Sequence, residues 1–496
     1  MLLSLEFSLT DRLNILNLKK GVKMEDQQMK DILNKQRAYF IKNGPPSYDL
    51  RIDRLDRMKT LIMENRYKIV DALNDDFGVR SKNQSMATDV YTIIPSIEYA
   101  KKNLKKWMAG SKRKPNFPLG LLGAKASVDY EPLGTVGMIS PWNFPIFLTF
   151  SPAASIFAAG NQIMHKPSEY TEQTSALLKD LCDAAFDEEE FATILGGPEV
   201  GSTFTQQKFD HLLYTGSGAV AKHIMRAAAE NLVPVTLELG GKSPVIVSNT
   251  ADSVTAAKRI MLGKTMNAGQ ICLAPDYVMV HSEKKDELVS GMKDAVADFY
   301  PDLKHNDDYT SVVNEKHFDR LQGLLNDAKE KGAVIDEINP ANEDFSQQEA
   351  FKIPPTLIMN PTDDMDIMKE EIFGPLLPIK EFTEIDETIS YVNKNDKPLG
   401  LYYFGSNKNE EEHVLTRTSS GGVTVNDVLG HIQQEDLPFG GVGPSGIGSY
   451  HGEEGFKTFS NAKAVYKQVG SRFDKLLSAI RPPYKGDIEK VLKQIT

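Results

Sequence analysis

The stretch 136–165, VGMISPWNFPIFLTFSPAASIFAAGNQIMH, decides the fold class of this chain. It opens with a short apolar run at residues 136–139 and closes with a second one at residues 163–165. The apolar segment between these runs contains three prolines, which is a poor pattern for a transmembrane helix. The stretch therefore predicts a strand, a loop, a buried helix and a second strand in succession.

Similar apolar or β-branched runs recur downstream and alternate with amphipathic helical stretches. We expect further strands at residues 193–195, 211–214, 235–239, 244–247 and 401–404. Such alternation is typical of parallel sheets joined by right-handed crossovers. Because a chain of 496 residues exceeds one ordinary core, the sequence predicts an α/β protein of two or three domains.

The composition disfavours some classes of partner and site. The net charge is −11, and an acidic chain is a poor match for the phosphates of nucleic acid. Only Cys182 and Cys272 occur, so the sequence predicts no disulfide framework and no cysteine-based metal cluster. Helical spacing places Cys182 on the buried face of a helix. These features fit a reducing, cytoplasmic compartment.

Neither end of the chain has the pattern of a targeting or anchoring segment. Glu6 precedes any long apolar run, which does not fit a signal peptide. A regular helical pattern begins only after Met24, which makes residues 1–23 a candidate flexible or non-native extension. The tail at residues 471–496 is charged and contains two adjacent prolines, so we expect no membrane anchor.

One cysteine and one glutamate suggest chemistry. Cys272 lies in the run NAGQICLAP at residues 267–275, and Glu238 lies upstream in the run LELGGK at residues 237–242. A thiolate attacks carbonyl carbons, and a carboxylate near it can later activate water. The pair therefore indicates covalent catalysis on a carbon electrophile. Taken alone, Cys272 is equally a candidate packing residue and Glu238 a candidate surface charge on an edge strand.

Two turns have the composition of a nucleotide-binding site. The turn TGSG at residues 215–218 follows a predicted strand and precedes a helix, whose N-terminal N–H groups attract anions. Lys166 and Glu169 follow another strand, where an acidic residue can bind ribose hydroxyls. Either turn is also compatible with a plain connection, in which Ser168 caps the next helix.

Seven motifs in this order resemble those of the aldehyde dehydrogenase superfamily. They are PWNFP at 141–145, KPSE at 166–169, TGS at 215–217, LELGGK at 237–242, GQIC at 269–272, EIFGP at 371–375 and PFGG at 438–441. The likeness extends from about residue 48 to residue 467. The runs at 272–277 and 449–452 are similar to the class 3 branch, which includes bacterial coniferyl-aldehyde-type enzymes.

The resemblance implies a set of catalytic residues and no metal. Cys272 would attack the aldehyde to give a thiohemiacetal and then a thioester. The side-chain amide of Asn143 and the Cys272 N–H would form the oxyanion hole. Glu238 would activate the water that hydrolyses the thioester, with Glu371 as a second candidate. Gly269 would give the backbone the freedom to approach the substrate.

The resemblance also implies a dinucleotide site. A carboxylate at Glu169 favours NAD because it repels a 2′-phosphate, and NADP stays open as an alternative. The residues expected to bind the cofactor are Trp142, Lys166, Glu169, Gly216, Ser217, Leu239, Glu371 and Phe373. The chain departs from the family pattern at Gly218, which loosens the turn, and at Ala221, whose Cβ is expected to crowd the pyrophosphate.

The resemblance implies a Rossmann-like cofactor domain, a second α/β catalytic domain and a β bridging arm. We expect the cofactor domain at residues 24–120 and 132–240, the catalytic domain at 241–440, and the arm at 121–131 and 441–470. The arm is expected to pair between the subunits of a homodimer, since exposed strand edges favour a partner.

Two other functions stay open at this point. A CoA-acylating relative would pass the thioester to CoA, although the presence of Glu238 counts against it. A non-enzymatic, structural use of the fold is disfavoured by the intact nucleophile. The substrate is undecided between aliphatic, aromatic and cinnamyl-type aldehydes, and we expect an aromatic-rich entrance at Phe147, Tyr450, His451 and residues 428–435.

Overall fold

A computed structural model describes residues 9–348, 350–471, 481–483, 488–489 and 493, with side chains from residue 26 onward. Its helices are α1 (Leu9–Asn43), α2 (Tyr48–Glu64), α3 (Arg66–Phe77), α4 (Lys82–Ser85), α5 (Ile93–Met108), α6 (Phe147–Ala159), α7 (Glu172–Ala185), α8 (Pro198–Thr205), α9 (Gly218–Ala229), α10 (Ser253–Thr265), α11 (Lys285–Phe299), α12 (Glu315–Glu330), α13 (Asp366–Lys369), α14 (Ile385–Lys394), α15 (Lys408–Arg417) and α16 (Gly452–Thr458). Its strands are β1 (Ser111–Arg113), β2 (Lys125–Pro132), β3 (Thr135–Ile139), β4 (Gln162–Lys166), β5 (Phe191–Thr193), β6 (His211–Thr215), β7 (Val235–Glu238), β8 (Pro244–Val247), β9 (Tyr277–His281), β10 (Val334–Glu337), β11 (Thr356–Met359), β12 (Leu376–Phe382), β13 (Gly400–Phe404), β14 (Gly422–Val425), β15 (Gly446–Ile447) and β16 (Ser460–Lys467).

The first sheet has six strands in the order β15-β7-β6-β3-β4-β5, and every pair except β15 with β7 is parallel. The unit predicted at residues 136–165 forms its middle as β3, α6 and β4. Helix α6 is apolar on every side because it packs against α2, α5 and α16. Cys182 is buried on α7, as its spacing predicts.

One predicted strand of this sheet is shifted. We expected residues 193–195, whereas β5 covers Phe191–Thr193 and pairs with Ile163 to His165 of β4. Leu195 lies beyond the ladder and is exposed, because the chain turns away at the glycine pair 196–197 that follows it. The apolar run and its neighbouring turn, not the run alone, set the end of the strand.

The second sheet has seven strands in the order β10-β11-β12-β9-β8-β13-β14. All of its pairs are parallel except β10 with β11. The predicted strands at 244–247 and 401–404 are β8 and β13, which lie side by side. Parallel strands of this kind are covered by helices on both faces, which accounts for their continuous apolar runs.

The third sheet is small and antiparallel, with the order β1-β2-β16. We expected the arm at residues 121–131 and 441–470 to pair between subunits. Within one chain, its strands β2 and β16 pair with each other, from Ser460 opposite Pro132 to Lys467 opposite Lys125. Two strands of equal length satisfy each other's backbone groups in this way. Among the described residues, β16 has no strand on its other side.

The ends of the chain differ from the sequence-based expectation. Helix α1 runs without a break from Leu9 to Asn43, so regular helix does not begin only after Met24. Residues 1–8 and most of the tail at 471–496 lie outside the described residues. Within the part of the chain that is described, no helix has both the length and the apolar character needed to cross a bilayer.

Candidate active site

The candidate residues gather where the parallel strands of the first sheet end. Strands β4 and β5 lie on one side of β3, and β6 and β7 lie on the other, so the strand order reverses between β3 and β6. In open α/β sheets, ligands bind beyond the carboxyl ends of the strands at such a point. The PWNFP, KPSE, TGS and LELGGK motifs all follow or finish these strands.

Glu238 is the last residue of β7 and lies between β6 and β15. Glu238 is only 2% exposed, so it is not a surface charge on an edge strand. Neither of its carboxylate oxygens has a hydrogen-bond partner among the described residues. Burial raises the pKa of Glu238 well above its ordinary value. A buried carboxyl group with two free oxygens is suited to exchange a proton with water or a thiol.

Cys272 follows an unusual backbone turn and is partly exposed. Asn267, Ala268 and Gly269 have φ values of 51°, 50° and 72°, which is the left-handed region. A Cβ at Gly269 would clash with the carbonyl oxygen of Gly374. Glycine is therefore needed at this position both for its left-handed backbone and for close packing against the EIFGP motif.

The surroundings of Cys272 favour the protonated form of its thiol. Burial raises the pKa of Cys272 to about 12, and the nearby charges of Glu371 and Glu238 raise it further. The N–H groups of Cys272 and Leu273 face the sulfur and oppose this effect. Both candidate carboxylates therefore lie close enough to Cys272 to act on its charge.

Asn143 lies directly beside the cysteine loop. The Asn143 Nδ2 donates to the backbone carbonyl oxygen of Gln270 at 3.1 Å. The backbone carbonyl oxygen of Asn143 accepts from Asn267 Nδ2 at 3.2 Å. The Gln270 side chain is fixed by Asn267 O at 2.9 Å and Ser311 O at 3.0 Å. Because the amide of Asn143 has two N–H groups, one is left for an oxygen that develops negative charge.

A buried ion pair supports this loop. Arg80 Nη2 lies 2.6 Å from Asp89 Oδ2, and both side chains are fully buried. Arg80 Nη1 donates to the carbonyl oxygen of Asn143 at 2.7 Å, and Asp89 Oδ1 accepts from the N–H groups of Ile146 and Phe147. Burial lowers the pKa of Arg80 and raises the pKa of Asp89, and the attraction between them opposes both effects.

We expect Arg80→Met to destabilise the protein by about 3–5 kcal/mol, because it leaves the Asp89 carboxylate buried without a partner. Thermal unfolding followed by intrinsic fluorescence measures the change. The matched control is Lys258→Met, which breaks the exposed pair between Lys258 and Asp298 at 3.1 Å. Exposed pairs contribute little, so the control is expected to unfold like the parent. Equal unfolding temperatures for the two variants would contradict this account of the ion pair.

The side chain of Glu371 packs against the LELGGK motif at Gly240 and Gly241. A Cβ at Gly240 would clash with the Glu371 carboxylate, and the N–H of Gly241 faces it. Burial, and then the charge of Asp276, raise the pKa of Glu371 to about 8. Its Oε1 is buried and has no partner among the described residues.

Two cationic side chains, Lys242 and Arg320, hydrogen-bond to the backbone of the segment that contains Glu371. Lys242 pairs with Asp276 and donates to the carbonyl oxygens of Ile367 and Glu370 at 2.7 and 2.9 Å. Arg320 Nη2 donates to the carbonyl oxygen of Ile372 at 2.6 Å. These contacts fix the backbone on both sides of Glu371.

The groups that face the carboxyl ends of β4 and β6 fit a dinucleotide. Lys166 Nζ donates to Glu169 Oε2 at 3.1 Å, and that carboxylate remains partly exposed. Ser217 is the N-cap of α9 and accepts from Val220 N, so the first N–H groups of this helix point toward Gly216. Carboxylates for ribose hydroxyls and helix N–H groups for phosphate are the donor and acceptor set that NAD requires.

A cluster of aromatic rings surrounds Trp142. The Trp142 ring centroid is 5.3 Å from Phe373, edge to face, and 5.2 Å from His317. Leu239 differs from the other predicted ligands, because its side chain is buried in the core of the first sheet. Only its backbone is left to face a ligand.

Two expectations about the turns are wrong. Ala221 is buried in the same core cluster as Leu239, so its Cβ packs inward and does not lie over the turn. Helix α7 begins at Glu172 with Thr171 as N-cap, so Ser168 does not cap it. Ser168 Oγ instead accepts from Tyr170 N at 3.2 Å, which shapes the KPSE turn itself.

Two buried cationic side chains near the site, Arg80 and Lys264, have no distinctive sequence pattern. Arg80 lies in a short polar stretch, GVRSK, that resembles an exposed turn. Lys264 is buried near Asp276 and Glu371, its Nζ has no partner among the described residues, and burial lowers its pKa to about 8. No cluster of three metal-binding side chains occurs in the described part of the chain.

Comparison with known proteins agrees with the fold and the motifs. Residues 21–465 match the Aldehyde dehydrogenase family. A probable coniferyl aldehyde dehydrogenase of Caulobacter vibrioides is 54% identical over 465 residues, covering 94% of this chain and 96% of the relative. The rat protein named aldehyde dehydrogenase family 3 member A2 is 39% identical over 415 residues, covering 83% of each chain.

Solved structures give the same result. The substrate-bound AldH of Staphylococcus aureus superposes with a TM-score of 0.88 at 37% identity, covering 94% of this chain and 99% of that one. The betaine aldehyde dehydrogenase of the same organism, solved in complex with NAD+, gives 0.78 at 26% identity, with coverage of 88% and 87%. The chain therefore belongs to the aldehyde dehydrogenase family and is an oxidoreductase that converts an aldehyde to a carboxylic acid.

Proposed function

We propose that Cys272 is the nucleophile and that Glu238 is the base that delivers water to the acyl enzyme. The observation that carries this proposal is the buried Glu238 carboxyl, which has no hydrogen-bond partner among the described residues and lies close enough to Cys272 to raise its pKa. A buried carboxyl group without a hydrogen-bond partner lowers the stability of the fold. A role in proton transfer accounts for its presence at this position.

The steps follow from these residues. The Cys272 thiol passes its proton to a neighbouring carboxylate and its sulfur bonds to the aldehyde carbon, giving an alkoxide that accepts from Asn143 Nδ2 and the Cys272 N–H. NAD held by Lys166, Glu169 and Glu371 would supply the hydride acceptor, so that loss of a hydride from this carbon would leave a thioester on Cys272. Glu238 then takes a proton from water, whose oxygen displaces the Cys272 sulfur and releases the acid.

We propose NAD as the preferred cofactor, bound between the KPSE and TGS turns. Lys166 and Glu169 would hold the adenosine ribose, with Gly216, Ser217 and the start of α9 at the phosphates. Glu371 would bind the nicotinamide ribose, with Trp142, Phe373 and the backbone of Leu239 beside it. The buried free oxygen of Glu371 and the Lys166–Glu169 contact support this assignment.

We expect Glu169→Ser to raise the preference for NADP over NAD by about tenfold or more. The substitution removes a negative charge that would face the 2′-phosphate, and it keeps a hydroxyl that can contact the ribose. The readout is the ratio of kcat/KM for the two cofactors, measured at 340 nm. The matched control is Glu188→Ser, an exposed acid that pairs with Lys35 far from the turn. An unchanged ratio in Glu169→Ser would contradict the placement of the ribose.

We propose a cinnamyl-type aromatic aldehyde, such as coniferyl aldehyde, as the substrate. The support is the 54% identity to a probable coniferyl aldehyde dehydrogenase and the aromatic residues Phe439 and Tyr450 beside the site. Kinetics with a panel from short aliphatic to cinnamyl aldehydes, with and without CoA, test the proposal. Acid formation without CoA and highest kcat/KM for cinnamyl aldehydes are expected. Dependence on CoA would instead favour the acylating reaction.

We propose that the protein is a cytoplasmic homodimer, with the cofactor domain at residues 24–120 and 132–240 and the catalytic domain at 241–440. Two unpaired cysteines fit a reducing compartment. The mostly exposed strand β16 has one free edge among the described residues, which favours pairing with a second copy. Light scattering after size-exclusion chromatography tests the dimer, and a monomer mass would contradict it.

A further inference from the structure

Three polar side chains near the active site are buried without the partners that buried polar groups normally have. His431, Tyr450 and His451 are 9%, 0% and 3% exposed. Tyr450 Oη, both ring nitrogens of His451 and Nε2 of His431 have no hydrogen-bond partner among the described residues. Buried polar atoms are almost always satisfied in folded proteins, so such a group of unpartnered atoms requires an explanation.

The backbone of His451 is also strained. Its φ of 81° and ψ of 140° lie in a region that side-chain-bearing residues rarely adopt. The neighbours hold it there, because Tyr450 exchanges two backbone hydrogen bonds of 2.8 Å with Phe439 and Gly455 N donates to His451 O at 2.8 Å. The His451 ring stacks on Phe439 with centroids 5.4 Å apart. Strain maintained by its surroundings is typical of functional residues.

The same group of residues adjoins the reactive residues. Gly446, the first residue of β15, precedes Tyr450 closely in the sequence and lies opposite Glu238 in the sheet. Burial, and then the charges of Glu238 and Cys272, raise the pKa of Tyr450 well above its ordinary value. The ring centroids of Tyr450 and His451 are 4.9 Å apart, so the two side chains are in contact. Tyr450 and His451 therefore lie in the interior of the protein, next to the reactive residues.

The two histidines are neutral and can each offer a donor and an acceptor. Burial lowers the pKa of both His431 and His451 to about 4. The Nδ1 of His431 is 2.8 Å from Thr424 Oγ1, and this hydroxyl already accepts from the His431 N–H. Since the hydroxyl can then donate to Nδ1, this arrangement favours a proton on Nε2, the free nitrogen.

We propose that His451 and His431, together with Tyr450, form the polar end of the aldehyde pocket and bind a hydroxyl group carried on the aromatic ring of the substrate. This rests on the proposed function, since it names the feature of the substrate that the site recognises. A phenolic hydroxyl both donates and accepts, which matches two neutral imidazoles and a phenol. A purely aliphatic aldehyde would leave these atoms unpartnered, and sites built to bind a hydroxyl reject analogues that lack it.

The test compares 4-hydroxycinnamaldehyde with cinnamaldehyde, which differ by the hydroxyl alone. For the parent protein we expect a kcat/KM ratio of at least ten in favour of the hydroxylated substrate. His451→Phe is expected to lower this ratio at least tenfold, through KM more than through kcat. His431→Phe is expected to lower it in the same direction. The matched control is His211→Phe, a buried histidine whose ring nitrogen already has Thr236 as partner, and it is expected to leave the ratio unchanged.

The outcomes separate this proposal from the one it rests on. If the parent oxidises neither aldehyde, the proposed substrate class is wrong. If the parent oxidises both with a ratio near one, or if the ratio survives in both histidine variants, the recognition of the hydroxyl is overturned and the free nitrogens are satisfied by water. Should His451→Phe fail to fold because of the strained backbone, His431→Phe decides, since His431 has no such strain.

Discussion

Replacing Cys272 with alanine is expected to lower kcat for aldehyde oxidation by about 10⁴-fold or more, because no covalent intermediate can form. The loss should appear in kcat, since the oxyanion donors and the cofactor site are untouched. Formation of NADH at 340 nm in the presence of aldehyde measures the rate. Binding of NAD, followed by quenching of intrinsic fluorescence, should persist in the variant.

The other cysteine provides the control for this experiment. Cys182 is fully buried on α7, and burial raises the pKa of its thiol far above the usual range. Cys182→Ala removes a small buried side chain, so we expect a modest loss of stability and unchanged kcat. A Cys272→Ala protein that keeps a substantial part of its activity would rule out the covalent route.

Replacing Glu238 with glutamine is expected to lower the steady-state kcat by about 10²–10⁴-fold while the first turnover remains. The amide has the shape of the carboxyl group but cannot take a proton from water, so the thioester accumulates. Because no described residue hydrogen-bonds to the buried Glu238 carboxyl, the neutral side chain should not destabilise the fold. Stopped-flow measurement should show a burst of NADH close to one per active site, followed by a slow rate.

The pH dependence has a defined sign. Burial raises the pKa of Glu238, so this group is protonated, and inactive as a base, below that raised pKa. Turnover of the parent should therefore increase with pH, and the Glu238→Gln variant should lose this dependence. Glu371→Gln is the matched comparison, because Glu371 is proposed to bind the ribose. It should weaken NAD binding and lower the burst, and a burst with a slow steady state in that variant alone would reassign the base.

Much of the fold could be predicted from local patterns. Strands β3 and β4 are short apolar runs between which α6 is apolar on all sides, and a parallel sheet is the ordinary solution for such a unit. The pairing of β2 with β16 could not be predicted, because these strands lie far apart in the sequence. Pairing depends on which edges the completed fold leaves adjacent, which no local pattern encodes.

Some residues of the candidate site could be predicted from the sequence and others could not. Cys272 and Glu238 belong to motifs with distinctive neighbours, whereas Arg80 and Lys264 are single cations in ordinary surroundings. The burial of Arg80 depends on packing against the loop at Asn143, and the burial of Lys264 depends on packing near Asp276 and Glu371. Likewise, only the three-dimensional structure shows that the ring nitrogens of His451 have no hydrogen-bond partner among the described residues.

The most direct test of the central claim is mass spectrometry of the Glu238→Gln protein, quenched in acid during turnover with aldehyde and NAD. We predict a mass increase equal to one acyl group, located by peptide mapping on the fragment that contains Cys272. An adduct on Cys182 instead, or NADH formation at the burst stage with no adduct on either cysteine, would contradict the account.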